Sequence, residues 1–210
     1  MNADTVQRGL LIAFEGIDGA GKSSHLRWLA AYLRGQGLGV VETREPTNGT
    51  YGQYIRNLFT NRKKLTPEEE LELFLLDRKE HVAQCINPAL AAGQIVLTDR
   101  YYFSSVAYQG AAGMDPVDIF AKNAFAPEPD MVLLLRVSPQ EGLRRIREQR
   151  REHPNDFEQE EQLIKVDRLF ASFPQSYIKR IDNSANRDKV QACIQQLVRE
   201  LCCARGFACQ

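Results

Sequence analysis

An α/β fold in three layers, with a five-stranded parallel sheet flanked by helices, is predicted by two features of the chain. Short apolar runs rich in β-formers alternate with longer segments of helical pattern from one end to the other, the mark of βα units. The middle runs are continuously apolar, as strands covered on both faces of a parallel sheet have to be. Folds of this kind bind ligands at the carboxyl ends of their strands.

Strands are expected at 10–14, 39–43, 95–98, 131–135 and 177–181. Helices are expected at 22–35, 51–60, 67–92, 102–109, 115–125, 138–150, 157–173 and 187–203. Thr66 ahead of Pro67, Glu68, Glu69 and Glu70 makes a strong helix start. Threonine caps the first amides, proline's missing N–H is not needed in the first turn, and the acids complement the helix dipole. Pro88 should kink or split that third helix because it has no N–H for the ladder, and Gly93 should close it.

With 210 residues the chain is read as one domain, 1–210, whose first eight residues form a short extension without the apolar stretch of a signal peptide. Lys plus Arg and Asp plus Glu are equal at 27 each, so no global field favours nucleic acid or an anionic membrane. No apolar run approaches the roughly 20 residues needed to span a bilayer. The odd set of five cysteines, Cys85, Cys193, Cys202, Cys203 and Cys209, argues for reduced thiols and a cytoplasmic protein. The last three lack both C-x₂-C spacing and a nearby histidine, so no metal site is expected there.

The chemistry begins at residues 16–23, Gly-Ile-Asp-Gly-Ala-Gly-Lys-Ser, a complete G-x-x-x-x-G-K-[ST] phosphate loop between the first strand and the first helix. Gly16, Ile17, Asp18, Gly19, Ala20, Gly21, Lys22, Ser23 and Ser24 are the expected triphosphate contacts. The glycines let backbone N–H groups curl around a polyphosphate, and the helix N-terminus adds a favourable dipole. Lys22 is suited to the β/γ-phosphates and Ser23 to Mg²⁺. The third strand runs into Asp99-Arg100-Tyr101, an acid able to hold Mg²⁺ beside a guanidinium suited to an oxyanion. The guanine-reading N-K-x-D motif is missing: Asn61-Arg62-Lys63-Lys64 lacks the closing Asp. The basic stretch through Arg144, Arg147, Arg150 and Arg151, broken at Pro154, reads as a lid over about 144–157 or as a solvated helix end.

Three blocks together resemble the thymidylate kinases: Phe14-Glu15-Gly16 through Ser24, Thr43-Arg44-Glu45-Pro46, and Asp99-Arg100-Tyr101-Tyr102-Phe103-Ser104-Ser105-Val106-Ala107-Tyr108-Gln109-Gly110. Pro129-Asp130 before the fourth strand and Asp156-Phe157-Glu158 at the lid exit fit the same family, and the likeness covers roughly 10–185. It implies the three-layer P-loop kinase fold, ATP as donor with Mg²⁺, dTMP as acceptor in dTTP biosynthesis, and a homodimer. It also implies that Phe74 stacks on thymine and Arg78 hydrogen-bonds an exocyclic oxygen. Ser105 and Gln109 lie near the base in that family, and Tyr108 lies against the deoxyribose. Asp18 approaches the acceptor sugar and the metal region, and Arg44 and Arg100 take the acceptor phosphate. Because Gly19 stands where some relatives carry arginine, the charge on the transferring group must come from a lid arginine among Arg144, Arg147, Arg150 and Arg151, a choice that spacing alone does not decide; Arg147 and Arg151 are the catalytic candidates beside Lys22, Asp99 and Arg100. The three histidines, His25, His81 and His153, are expected to be incidental.

Two other readings compete. A kinase for another nucleoside monophosphate, dUMP or a broad set, differs at the base site, where Phe74, Arg78, Ser105 and Gln109 suit thymine or uracil better than a purine. A phosphate-loop switch protein would need no acceptor, and arginines at two strand ends, Arg44 and Arg100, count against it.

Overall fold

The computed structural model describes residues 7–60, 65–150, 160–184 and 186–208. Five strands, β1 (Leu10–Glu15), β2 (Val40–Arg44), β3 (Ile95–Asp99), β4 (Met131–Arg136) and β5 (Ile178–Asp182), form one all-parallel sheet in the order β2-β3-β1-β4-β5. Each begins and ends within one residue of the expected strand. Every residue of β1 is buried, whereas no residue of the edge strand β2 is, with Glu42 and Arg44 exposed. Burial on both faces is what the unbroken apolar runs of β1, β3 and β4 demand.

The helices are α1 (Lys22–Gly35), α2 (Thr50–Thr60), α3 (Pro67–His81), α4 (Asn87–Ala91), α5 (Tyr102–Ala111), α6 (Pro116–Lys122), α7 (Pro139–Arg150), α8 (Glu160–Ser172) and α9 (Arg187–Ala204). α1 and α9 pack together on one face, and α3, α5 and α8 meet on the other. The Thr66 cap forms as a full capping box, with Glu69 N–H on its hydroxyl and its own N–H on the Glu69 carboxylate.

The expected helix 67–92 is not continuous. Between α3 and α4 lies a π-helical turn, Val82–Ile86, and Pro88 stands in the first turn of α4 directly after it. A wide turn followed by a residue with no N–H is the split that Pro88 foretold, placed one turn earlier than the proline itself. The expected helix 115–125 ends at Lys122, where Asn123 turns the chain.

Parallel pairing brings the carboxyl ends of the strands side by side: Phe14 is level with Asp99, Asp99 with Arg44, and Arg136 with Asp182. The loop from β1 to α1 leaves the centre of this row, where successive connections diverge to opposite sides of the sheet.

Candidate active site

The phosphate loop closes with Gly21 as N-cap of α1, in the left-handed conformation at φ 84° and without a side-chain cap. The first amides of α1 are therefore not occupied by a capping side chain, as an anion site requires. Lys22 is buried and donates from Nζ to the carbonyls of Gly16 (3.0 Å) and Ile17 (2.9 Å). Burial, then the charge of Arg100, pushes its ammonium down to about 8. Ser23 and Ser24 face solvent, and the Ser23 hydroxyl donates to the carboxylate of Asp99. A hydroxyl and a carboxylate in contact beside a phosphate loop are two hard oxygen donors, a set that fits a small divalent cation carrying water and phosphate on its other positions.

Asp18 and Arg100 form the second half of the site. Arg100 donates from Nη2 to Asp18 Oδ1 (2.7 Å) and from Nη1 to Ser104 Oγ (2.8 Å), with its guanidinium 5.1 Å from the centre of the Tyr108 ring. Tyr108 donates its hydroxyl to the other Asp18 oxygen at 3.0 Å. Burial would raise the Asp18 carboxyl, but the Arg100 and Lys22 charges outweigh it and hold the group at about 2. Asp18 is thus an anion at every working pH, bridging phosphate loop to α5.

Arg100 carries the positive φ, 73°, that among non-glycine residues most favours strain. Left-handed backbone costs such a residue on the order of 1–3 kcal/mol unless its surroundings enforce it. Here they do. Arg100 N–H bonds Phe14 O at 2.9 Å, and Thr98 Oγ1 donates to Arg100 O at 2.8 Å. Glu15, at the end of β1, accepts from Tyr101 N–H (2.8 Å), Ser104 N–H (3.1 Å) and the Ser104 hydroxyl (2.6 Å). A carboxylate from the neighbouring strand therefore caps α5, whose own N-cap residue Tyr101 offers none. Burial raises that carboxyl to about 7 against those bonds.

Beyond β2 the chain wraps into a loop held from α3. Asp77, buried, accepts from Thr47 N–H (2.9 Å) and the Thr47 hydroxyl (2.6 Å). Asn48 Oδ1 accepts from Arg44 Nη2 at 2.8 Å and from Arg56 Nη2 at 3.3 Å. Two guanidinium groups are gathered by one amide, so Arg56 on α2 stands beside Arg44 as a second cation at the end of β2. Sequence reading passed over Arg56 because nothing in its local pattern separates it from an ordinary helix-surface arginine.

Leu71 and Leu75 on α3 and Val82 in the π turn after it share a helical apolar spacing with Phe74 and are buried, but Phe74 is only half-buried. Phe74 is therefore set apart from the core side chains it resembles in sequence. Arg78 is 1% exposed and donates to Glu45, Asn123 and Ser105. Gln109, also buried, donates to Glu70 at 3.0 Å, and its own carbonyl oxygen is buried with no hydrogen-bond partner. Ser105 and Arg78 are in direct contact; Gln109 reaches α3 about two turns away, at Glu70.

The lid expectation is partly within reach. Arg144 is paired with Glu141 and Glu148, both on its own helix. Arg147 is exposed. Arg150's side chain, Arg151, His153 and the lid exit at Asp156-Phe157-Glu158 lie outside the described residues, as do Asn61-Arg62-Lys63-Lys64 and Cys209. α7 itself touches the phosphate loop: a Cβ on Gly19, at φ 76°, would come within 2.2 Å of Gly142 O. Any side chain at position 19, arginine included, would collide with α7 backbone.

Two of the histidines expected to be incidental to the chemistry are tied into the structure around the site. His25 bonds Asn183 at 2.9 Å, and Asn183 donates onward to Ala20 O in the phosphate loop at 2.7 Å. His81 is buried between Thr43 and Glu45. Among the described residues no helix is long and apolar enough to cross a membrane.

A phosphate loop at the centre of a five-stranded parallel sheet, with a row of arginines across from it, defines a P-loop kinase. The family model described as Thymidylate kinase matches residues 14–194. A thymidylate kinase of Desulfotalea psychrophila is 53% identical over 193 residues, covering 92% of this chain and 96% of its own. One from Xanthomonas euvesicatoria is 48% identical over 182 residues, 87% of this chain and 80% of its own. One from Xylella fastidiosa is 44% identical over 202 residues, 96% of this chain and 92% of its own. The chain belongs to the thymidylate kinase family.

Proposed function

We propose that the chain transfers the γ-phosphoryl group of ATP to dTMP, giving dTDP and ADP, with Mg²⁺ as the cation at Ser23 and Asp99. The observation that carries the reading is the Asp18–Arg100–Tyr108 triad, which ties an acceptor-side cation and an aromatic ring directly to the phosphate loop. A protein that used ATP only as a switch would have no use for it. Phosphoryl transfer asks for little covalent work from the protein, and catalysis is positioning and charge neutralisation.

Lys22 leaves the Gly16 and Ile17 carbonyls for the β/γ-phosphates, and the loop amides of 16–24 cradle the rest. The cation, when bound, neutralises charge on the bridging phosphates. Arg44, Arg56 and Arg100 hold the dTMP phosphate in line. Asp18 keeps Arg100 turned toward the loop, and Tyr108 packs on the deoxyribose, where a 2′-hydroxyl would be crowded. Phe74 stacks on thymine while Arg78, Ser105 and Gln109 read its polar edge. Arg147 and Arg151 bring the lid charge to the transferring group. No general base is needed, since the attacking phosphate oxygen is already ionised. The protein is read as one domain with a lid over about 144–157. It acts in the cytoplasm as a homodimer, on small-molecule substrates, with neither nucleic acid nor membrane as partner.

Initial rates of ADP formation with dTMP, dUMP, dCMP, dGMP and no acceptor test this. dTMP should give the highest kcat/KM, dUMP should trail it, and dGMP should match the acceptor-free background. Equal rates with dCMP or dGMP would remove the base-site assignment.

A further inference from the structure

We propose that His81 is a positioning residue for base recognition, fixing Glu45 and, through Glu45, the guanidinium plane of Arg78. This rests on the reading of Arg78 as a contact to the acceptor base.

The three side chains are enclosed, with Arg78 1%, Glu45 3% and His81 2% exposed. Arg78 donates from both Nε (2.8 Å) and Nη2 (2.6 Å), and both bonds go to the same oxygen, Glu45 Oε2. That is not the two-oxygen fork that locks a guanidinium to a carboxylate. A carboxylate held by one oxygen keeps its terminal torsion, which is intrinsically soft. His81 removes that freedom: its Nδ1 bonds the second oxygen, Glu45 Oε1, at 3.0 Å. The ring is itself held at its far side, where Nε2 meets Thr43 Oγ1 at 2.6 Å. Thr43 and Glu45 flank Arg44 at the end of β2, so the imidazole ties α3 to the strand end from which the acceptor loop starts.

The other side of Arg78 is equally fixed. Nη1 donates to Asn123 Oδ1 at 2.5 Å, and Asn123 is anchored by its own amide on Ile119 O at 2.8 Å. Nη2 gives its second hydrogen to Ser105 Oγ at 3.1 Å, and the Tyr101 ring lies 5.7 Å from the guanidinium carbon. Among the described residues, four of the five guanidinium N–H groups are thereby committed to protein, leaving one on Nη1. A single remaining donor reads a base only in the direction its plane allows. That plane is set by Glu45, and Glu45 is set by His81.

The charged and titratable groups acting on His81 are Glu45, just past the end of β2, and Cys85 from the π turn. The bond from His81 to Glu45 favours the imidazolium, in which both ring nitrogens donate.

The test compares His81→Leu, His81→Asn and His81→Gln in the full-length enzyme, alone and with Arg78→Lys, measuring kcat and both KM values. Asparagine places an N–H near the position of Nδ1 and glutamine near that of Nε2. His81→Leu should raise the dTMP KM about tenfold, with the ATP KM and kcat changed less than about twofold. His81→Asn should stay within about threefold of the parent, and His81→Gln should resemble leucine. In the Arg78→Lys background the His81→Leu effect should shrink to less than about twofold. If Arg78→Lys leaves the dTMP KM unchanged, the base-contact reading of Arg78 fails. If it raises that KM while His81→Leu does not, or if the two effects multiply, the positioning role is overturned and the base contact stands. If leucine does not fold, the asparagine–glutamine contrast decides: equal KM values overturn the proposal.

Discussion

Lys22 joins two properties that rarely coexist, a buried ammonium and a pair of backbone carbonyls as its partners. The carbonyls of Gly16 and Ile17 hold the charge in a place where a phosphate can take over. Lys22→Ala should lower kcat by about 10³-fold or more while leaving circular dichroism unchanged, because the lysine serves phosphate charge and packs little core. Activity within about tenfold of the parent would remove the loop assignment. His81 gives a residue-scale prediction about stability. Burial pulls its pKa down, but its bonds to Cys85 and Glu45 and the Glu45 charge outweigh that and hold it at about 9, against an ordinary value of 6.5. A histidine raised in the folded state stabilises fully below its unfolded pKa and loses that stabilisation as pH rises through the folded value. The parent should therefore lose up to about 3 kcal/mol of unfolding free energy between about pH 6.5 and pH 9.5 that His81→Leu does not lose. Parallel pH curves for the two proteins in urea titrations would contradict it. The difference between Lys22 and His81 also shows what a sequence reveals at this scale. Lys22 works with partners five and six residues away, so its motif is local and its spacing visible. His81, Glu45, Asn123 and Glu15 work with partners tens of residues away, brought together only by the sheet and α3. Nothing in a local window marks them.

Secondary-structure elements were the most legible level, because strand and helix periods are themselves local. Apolar runs found all five strands to within a residue, and the Thr66–Glu69 box found the start of α3. The π turn at Val82–Ile86 was not legible, since Pro88 announces a break but not where the ladder widens. The contact of α7 with the phosphate loop was also hidden, because it depends on two glycines far apart in the chain meeting through backbone, Gly19 and Gly142. It makes an element-scale prediction. A Cβ on Gly142 would come within 2.7 Å of Asp18 O, so Gly142→Ala should push α7 off the loop. We expect kcat/KM for ATP to fall at least about tenfold, with Tm lowered by a few degrees, checked by kinetics and thermal melts. An unchanged ATP KM and Tm would mean that α7 yields without consequence. The proposed lid carries its own test. Of Arg144, Arg147, Arg150 and Arg151 changed singly to Ala, Arg147 and Arg151 should lose most kcat with the dTMP KM little moved. Arg144, already paired with Glu141 and Glu148 on an exposed face, should behave as surface. Four variants that each keep roughly a third or more of parental kcat would reduce the basic run to a solvated helix end and make Arg44 the next candidate.

At the scale of the whole molecule, the strand order β2-β3-β1-β4-β5 explains why one loop can serve two substrates. β1 lies in the middle, so its loop has β3 with Asp99 and Arg100 on one side and β4 with α7 on the other. In the proposed mechanism, donor and acceptor approach from opposite halves of the sheet and meet over Lys22. Fold class and the position of the phosphate loop were readable from sequence because both depend on β1 and the glycine-rich turn at its end. Phe74 and Arg78 needed the resemblance and Arg56 was missed even with it, since all three are set by how α2 and α3 fold back over β2. Association belongs to this scale as well. A twofold dimer should sediment near twice the chain mass of 23.8 kDa at micromolar concentration, and a single species near 23.8 kDa would refute it. The central claim is transfer from one substrate to the other across this divide. The most direct measurement follows ATP and dTMP with enzyme and Mg²⁺ by phosphorus NMR through one equivalent of turnover. The γ-phosphorus should appear as the β-phosphorus of dTDP, with ADP in equal amount and no inorganic phosphate. Inorganic phosphate released in step with ADP, with dTMP left unchanged, would contradict it.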